Sequence, residues 1–485
     1  MYDVIVIGSD FSSLIAALLS ARYGRKTLLL DECGLGDCLT VSDYTFNIDP
    51  LPWSGFGNGQ IFTKLLSELN IPLPDPAKIS PLNPAFQVIL QEHRIDCYID
   101  REALIRDVNR EYPGEEKQIQ SLYHSVTKLS EILDKSIRES LDSEDASLKD
   151  RMQNWLDIPF FMGDIWRLSQ KIRGLAKLPS LGLMFDSELT LFSNQHVNHD
   201  KPLSSAYLLS LHWRGLYYLF GGKHHLIGQL RKRYEELRGE CLSGCTITGI
   251  RAGAKIEVDI DPKGKPISVV GHELVISAKS PALPGLLASD RKLSRLERRL
   301  RRVESMQYPF TLHMGVDNRG LPDRMSEYVI FISDPAKRGT PEAGPFLFLE
   351  SSVVDDSGLA PRGKRTLTVT ALLSRSPRDL DDGELRNVGE NMMTALESFL
   401  PFLRESLAFL DMERSIEVSR QYQQILNPRY RFAGPTLPVL PTLPIKSALR
   451  NILITGGITF ASLGFEGEVL SGMKAGYLAA GGAEK

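Results

Sequence analysis

The chain has 485 residues, 42% of them hydrophobic and 24% charged, with a formal net charge of -3 at pH 7. That length exceeds one ordinary domain and points to two or three. The composition excludes a disordered chain, and the near-neutral balance by itself gives no general attraction to nucleic acid or anionic lipid. Five cysteines, Cys33, Cys38, Cys97, Cys241 and Cys245, are too few and too scattered for a disulfide framework. Neither the Cys33/Cys38 nor the Cys241/Cys245 spacing suits a metal site, so none is expected.

The first element is a continuous apolar run within Tyr2 to Ile7, closed by Gly8, which predicts a parallel strand buried on both faces. It leaves no basic and apolar leader, and no apolar run reaches the ~18 residues of a membrane span, so a cytoplasmic location is expected, with peripheral membrane contact left open. Residues 12–23 carry Leu14, Ala17, Leu18 and Ala21 at helical spacing, with Gly24 as a C-terminal stop. Thr27 to Leu30 predicts a second strand, followed by Asp31-Glu32, which completes a βαβ unit.

Residues 101–180 alternate charge with Leu and Ile and predict amphipathic helices. Within them, Ile158 to Met162 and Trp166 form an aromatic-rich apolar cluster that ordinary core packing explains. Short strands are expected at 256–260, 274–276, 310–315, 328–332, 346–349 and 366–372, with a helix over 385–405. The basic run Arg298 to Arg302 interleaves with Leu296, Leu300 and Val303 and reads as a solvated helix face. A proline-rich connector spans Pro435 to Pro444, Asn451 to Thr455 reads as a strand, and Gly467 to Ala480 as a closing helix. The order predicts an α/β fold: a Rossmann-like dinucleotide domain assembled from residues 1–75, 205–290 and 430–485, with an inserted α+β substrate domain of residues 76–204 and 291–429.

The strand-to-helix turn reads Gly8-Ser9-Asp10-Phe11-Ser12-Ser13. A phosphate loop at this place needs three glycines, for the turn, for backbone approach to pyrophosphate, and for helix–strand packing. Only Gly8 is present. Asp31, at the end of the second strand, suits a ribose hydroxyl pair or, equally, a surface acid.

Five further segments carry a resemblance. They are Tyr44 to Pro50; Ile99 to Glu102 with Glu111 to Pro113; Tyr217 to Leu226 around Gly221-Gly222; Glu350 to Asp356 with Ala360 to Lys364; and Leu453 to Gly457 with Gly464 to Gly472. In order and spacing they resemble the phytoene desaturase-like flavoproteins, the family of carotenoid desaturases, carotenoid isomerases and retinol saturases. The resemblance implies FAD. It places Gly8, Asp10, Ser12 and Ser13 at the pyrophosphate, Asp31 at the adenosine ribose, and Gly36, Gly456, Gly457, Gly464, Glu466 and Gly467 along the rest of the cofactor. The closing helix then points its positive end at the flavin. Its substrates imply a long apolar, isoprenoid-like molecule, with hydride transfer or flavin-assisted isomerisation as the chemistry.

Four positions depart from that pattern: Asp10 and Ser13 replace glycines, Asp37 replaces the second glycine of a pair beginning at Gly36, and Gly457 replaces an aspartate. A carboxylate ~4 Å from a phosphate charge costs about 4 kcal/mol at an effective dielectric near ~20. Asp10 escapes the penalty if it turns away to cap the following helix, or if Arg22, Arg25 or Lys26 compensates. Two functions therefore compete: an FAD-dependent oxidoreductase, and a degenerate member of the fold that serves as a binding or partner protein. Glu466 is the candidate proton-handling residue in the first and a helix-start acid in the second. His224 and His225 read as a polar helix start and His313 as a satisfied core histidine.

Overall fold

A computed structural model describes residues 1–33, 38–75, 77–142, 163–175, 178–197, 201–262, 264–333, 343–432 and 441–481. The expectations placed on Gly36, on Asp37, on Ile158 to Met162 and on the first part of the proline-rich connector fall outside these residues.

Strand β1 (Tyr2–Ile7), helix α1 (Phe11–Arg22) and strand β2 (Thr27–Asp31) form the opening βαβ unit. Alternate side chains of β1 leave opposite faces. Val4 and Val6 enter a core with Leu14, Leu18 and Leu29, whereas Ile5 and Ile7 join Leu28, Leu30, Leu274 and Ile276 on the other side. All four are fully buried, so the strand is central and apolar on both faces. β1 pairs in parallel with β2 and with Ile267–Ser277; Glu240–Ser243 extends the β2 edge and Ile452–Thr455 pairs with the end of Ile267–Ser277, both also parallel. An antiparallel pair, Cys245–Ala252 and Ile256–Pro262, completes seven strands.

A second, eight-stranded sheet gathers Phe86–Ile89, Arg94–Cys97, Val303–Asp317, Tyr328–Ile332, Ala343–Ser351, Lys364–Leu373, Leu407–Leu410 and Arg429–Phe432. Helices Arg101–Glu111, Glu116–Asp142, Pro179–Phe192 and Pro202–Leu209 pack on the large core that this sheet shares with α1. The architecture is a Rossmann-like α/β domain with an inserted sheet-and-helix domain.

Strands run longer than hydropathy alone indicates. Val303–Asp317 overshoots the expected 310–315 at both ends because Lys364–Leu373 pairs along its second half and Arg429–Phe432 along its first. The helix expected over 385–405 is Asp382–Glu397, begun by a capping box between Asp381 and Glu384 and ended before Pro401. The closing helix begins at Gly464, three residues earlier than expected, and runs to Ala479. It lies against α1 at close range: a Cβ on Gly472 would stand 2.6 Å from the Ser12 carbonyl oxygen, and one on Gly476 2.8 Å from Leu19.

Candidate functional site

The opening and closing corners meet, as the dinucleotide reading requires, and the contact is filled by the chain's own carboxylates. Asp10 is the N-cap of α1. Its Oδ1 accepts the Ser13 N–H at 2.9 Å and the Ser12 and Ser13 hydroxyls at 2.7 Å each. Its Oδ2 accepts the Ser277 hydroxyl at 2.5 Å, from the end of the neighbouring parallel strand. The capping alternative is therefore the one the fold adopts. The cationic alternative is not: Arg22 donates to the Glu68 carbonyl, Arg25 to the Ala480 carbonyl, and Lys26 lies 3.8 Å from Glu240.

A second acid, absent from the sequence-level candidates, comes from the closing helix. Glu468 Oε1 accepts the Phe11 N–H at 3.1 Å and its Oε2 accepts Asn427 Nδ2 at 3.0 Å. Asn427 Oδ1 in turn accepts Lys279 Nζ at 2.9 Å. Burial pushes the Glu468 carboxyl up to about 7; Lys279 and the Asn427 bond oppose the rise, while Asp10 and Asp49 add to it. Glu32, just beyond β2, is likewise pushed up to about 7 by burial, with Asp10 and Asp31 adding to the rise.

Gly8 has φ +150°, and a Cβ there would lie 2.3 Å from Ser13 Oγ and 2.7 Å from the Ser277 Cβ, so Ser13 fills the space that a third glycine leaves open. Asp31 accepts the Ser9 hydroxyl at 2.5 Å. Gly456 donates its N–H to Ser471 Oγ at 3.1 Å. A Cβ on Gly457 would meet Asn427 Oδ1 at 2.9 Å and Asn194 Nδ2 at 3.0 Å, so an aspartate there requires both amide side chains to shift. Gly464 and Gly467 allow the Phe192 and Phe460 carbonyls to approach, where a Cβ would fall within 1.9 and 2.1 Å. At the start of α1, Phe11 packs with Trp53, Phe62 and Phe465, the rings 5.1–6.3 Å apart.

Glu466 is a helix-start acid, in the first turn of the closing helix, and it is buried. Its Oε2 accepts Tyr207 Oη at 2.5 Å and Arg214 Nη2 at 3.4 Å. The same Arg214 nitrogen reaches Asp134 at 2.6 Å, and the guanidinium covers the Tyr207 ring at 4.3 Å. Burial raises the Tyr207 hydroxyl well above its usual range, and Glu466 adds to the rise against Arg214. Glu466 is thus tied through Arg214 to Asp134 of the helical insert.

His224 opens helix His224–Glu236, and Gly221 donates its N–H to Asp356 at 2.9 Å, joining two of the family-like segments. His313 is in the core but unsatisfied: among the described residues neither ring nitrogen has a hydrogen-bond partner, and burial holds it neutral, down to about 3. That corrects the expectation of a satisfied histidine; the Phe46 ring packed edge-on against it supplies no acceptor in its plane. Trp166, expected in a packed cluster, is 64% exposed. Among the described residues no group of three or more His, Cys, Asp or Glu side chains is placed to hold a metal, and the five cysteines are free thiols. Among the same residues no helix is long and apolar enough to cross a membrane.

These residues do not fit a dinucleotide. The first N–H groups of α1, which such a helix offers to a pyrophosphate, are taken by two internal carboxylates. The corner is closed to solvent: Asp10 and Asp31 are 3% exposed, Ser12 and Ser13 0%, and Glu468 6%. An entering phosphate would displace both acids or bear about 4 kcal/mol of repulsion at ~4 Å from each one that is ionised, which for Glu468 is the case above about pH 7.

No protein-family model and no curated protein matches the chain. Solved structures do. An oxidoreductase from Methanosarcina mazei aligns with a TM-score of 0.58 at 12% identity, over 97% of this chain and 99% of that one. Cyclohexylamine oxidase from Brevibacterium oxydans gives 0.54 at 13% identity over 100% of both chains. Rab GDI from Plasmodium falciparum gives 0.53 at 12% identity, over 98% of this chain and 97% of its own. At such identities the likeness establishes the fold and nothing finer.

Proposed function

We propose that this chain works without a flavin, as a binding or partner protein built on an oxidoreductase fold. The observation that carries this reading is the pair of carboxylates, Asp10 and Glu468, hydrogen-bonded to the first N–H groups of α1 where the cofactor's phosphates would lie. A seal of this kind suits a body whose role is to hold something rather than to pass electrons. An apolar small molecule is the ligand class proposed. Leu122, Ile172, Leu175, Phe185, Leu189 and Leu209, with Gly182 and Asp186, leave a void among their helices with room for about one water, so such a ligand enters only if the helices part. The test is the visible spectrum of protein purified from flavin-replete cells, before and after incubation with FAD. A colourless preparation at both stages supports the proposal; a flavin band that survives gel filtration overturns it.

The second reading is an FAD-dependent oxidoreductase similar to phytoene desaturases, acting on an isoprenoid-like substrate. Its support is the likeness to an oxidoreductase along nearly the whole chain. It requires Asp10 and Glu468 to leave their helix-capping positions, so the same spectrum decides between the two.

A further inference from the structure

Arg298 to Arg302 reads in the sequence as an ordinary solvated helix face, and in the fold it ends a longer basic run, 291–302. Seven of its twelve residues are Arg or Lys, and all seven are exposed. The chain makes a short turn at Arg291–Leu293 and a helix at Ser294–Leu300. Leu293 and Leu296 point inward and are buried with Leu283, Leu286 and Leu287, which fixes the element flat on the Rossmann-like domain with its cations outward. Over roughly 15 Å of surface the acids are Asp290 and Glu297. Asp290 accepts the Lys292 backbone N–H at 2.8 Å, and Glu297 pairs with Arg301 at 2.7 Å. Arg291, Lys292, Arg295, Arg298, Arg299 and Arg302 have no acidic partner among the described residues. In a chain of net charge -3 this is a concentrated positive face.

We infer that this face docks the protein on an anionic lipid bilayer. The inference does not depend on whether flavin binds. Four to eight clustered cations are the density that holds a peripheral protein to acidic headgroups. No aromatic side chain lies between Asp290 and Val303 to stack on bases. The buried leucines leave no apolar anchor or pocket of the kind a protein partner grips. A planar array of diffuse negative charge is the surface that this face complements. With no inserting side chain the attachment is electrostatic, reversible and sensitive to salt.

The test is vesicle co-sedimentation of the full chain. Vesicles of phosphatidylcholine alone are compared with vesicles containing about 30% phosphatidylserine, at roughly 50 mM and roughly 500 mM NaCl. The wild type is expected to pellet with the anionic vesicles at low salt only. The variant R295E/R298E/R299E/R302E, checked for an unchanged circular dichroism spectrum, is expected to lose at least about tenfold in partitioning. Should that variant misfold, Arg298→Gln/Arg299→Gln replaces it, with a smaller loss expected. Equal pelleting with neutral vesicles, no pelleting with anionic ones at low salt, retention by a folded variant, or tighter binding to single-stranded RNA at matched phosphate would each overturn the inference.

Discussion

Replacing Glu468 with glutamine tests the buried carboxylates quantitatively. In the folded chain this group holds its proton up to about 7, against an ordinary value of 4.5. Below the lower value both folded and unfolded chains are protonated, and burial carries no ionisation cost. As pH rises from there, the unfolded chain releases the proton while the folded chain keeps it, so stability falls; above about pH 7 both have released it and the loss is complete. The shift of about 2.5 units (7 less 4.5) corresponds to about 3 kcal/mol. The Glu468→Gln side chain is neutral throughout and keeps an acceptor for the Phe11 N–H, while its amide faces Asn427 Nδ2 less well, at a cost of about 1 kcal/mol. The assay is urea unfolding of both proteins at several pH values between 4.5 and 8. Because Glu32 is present in both, its own titration cancels in the difference. The variant is expected to be slightly less stable at the acid end and to gain about 3 kcal/mol on the wild type by pH 8. Parallel stability curves would refute the placement of this carboxyl against Asp10 in a closed corner.

Other substitutions probe the same join. Asp10→Ala removes the acceptor for Ser13 N–H and three hydroxyls and is expected to cost about 2 kcal/mol in thermal unfolding while conferring no flavin uptake. Gly457→Asp, which restores the residue of the resembled pattern, is expected to destabilise by about 1 kcal/mol because Asn427 must shift away from Lys279 and Glu468. Gly472→Val is expected to cost about 1–3 kcal/mol by forcing the closing helix off α1, measured by denaturant midpoint. His313→Leu is expected to leave stability unchanged or raise it in the same assay, since neither ring nitrogen is bonded among the described residues.

The parts of the fold that local pattern controls were legible in the sequence. The Val-Ile-Val-Ile run of β1, the spacing of α1 and the apolar β2 each reflect burial on faces a few residues apart, and the structure follows them. Asp10 and Ser13 also announced a changed corner, because side chains stand where a phosphate loop has glycines. Which way Asp10 turned was not legible, since Ser277 reaches it from 267 positions away. Glu468 escapes sequence reasoning for the same cause. Its role depends on the closing helix starting at Gly464 and packing on α1, which brings it to Phe11 across 457 positions. Glu466, two residues earlier, faces the other way into Tyr207 and Arg214; neither spacing nor composition separates the two acids.

The most direct test of the closed corner is equilibrium dialysis of the purified chain against FAD, with the bound flavin counted after release by denaturation. The filled corner predicts essentially no flavin per chain at about pH 8, where Glu468 has released its proton. One flavin per chain, bound tightly enough to resist dialysis, would contradict it.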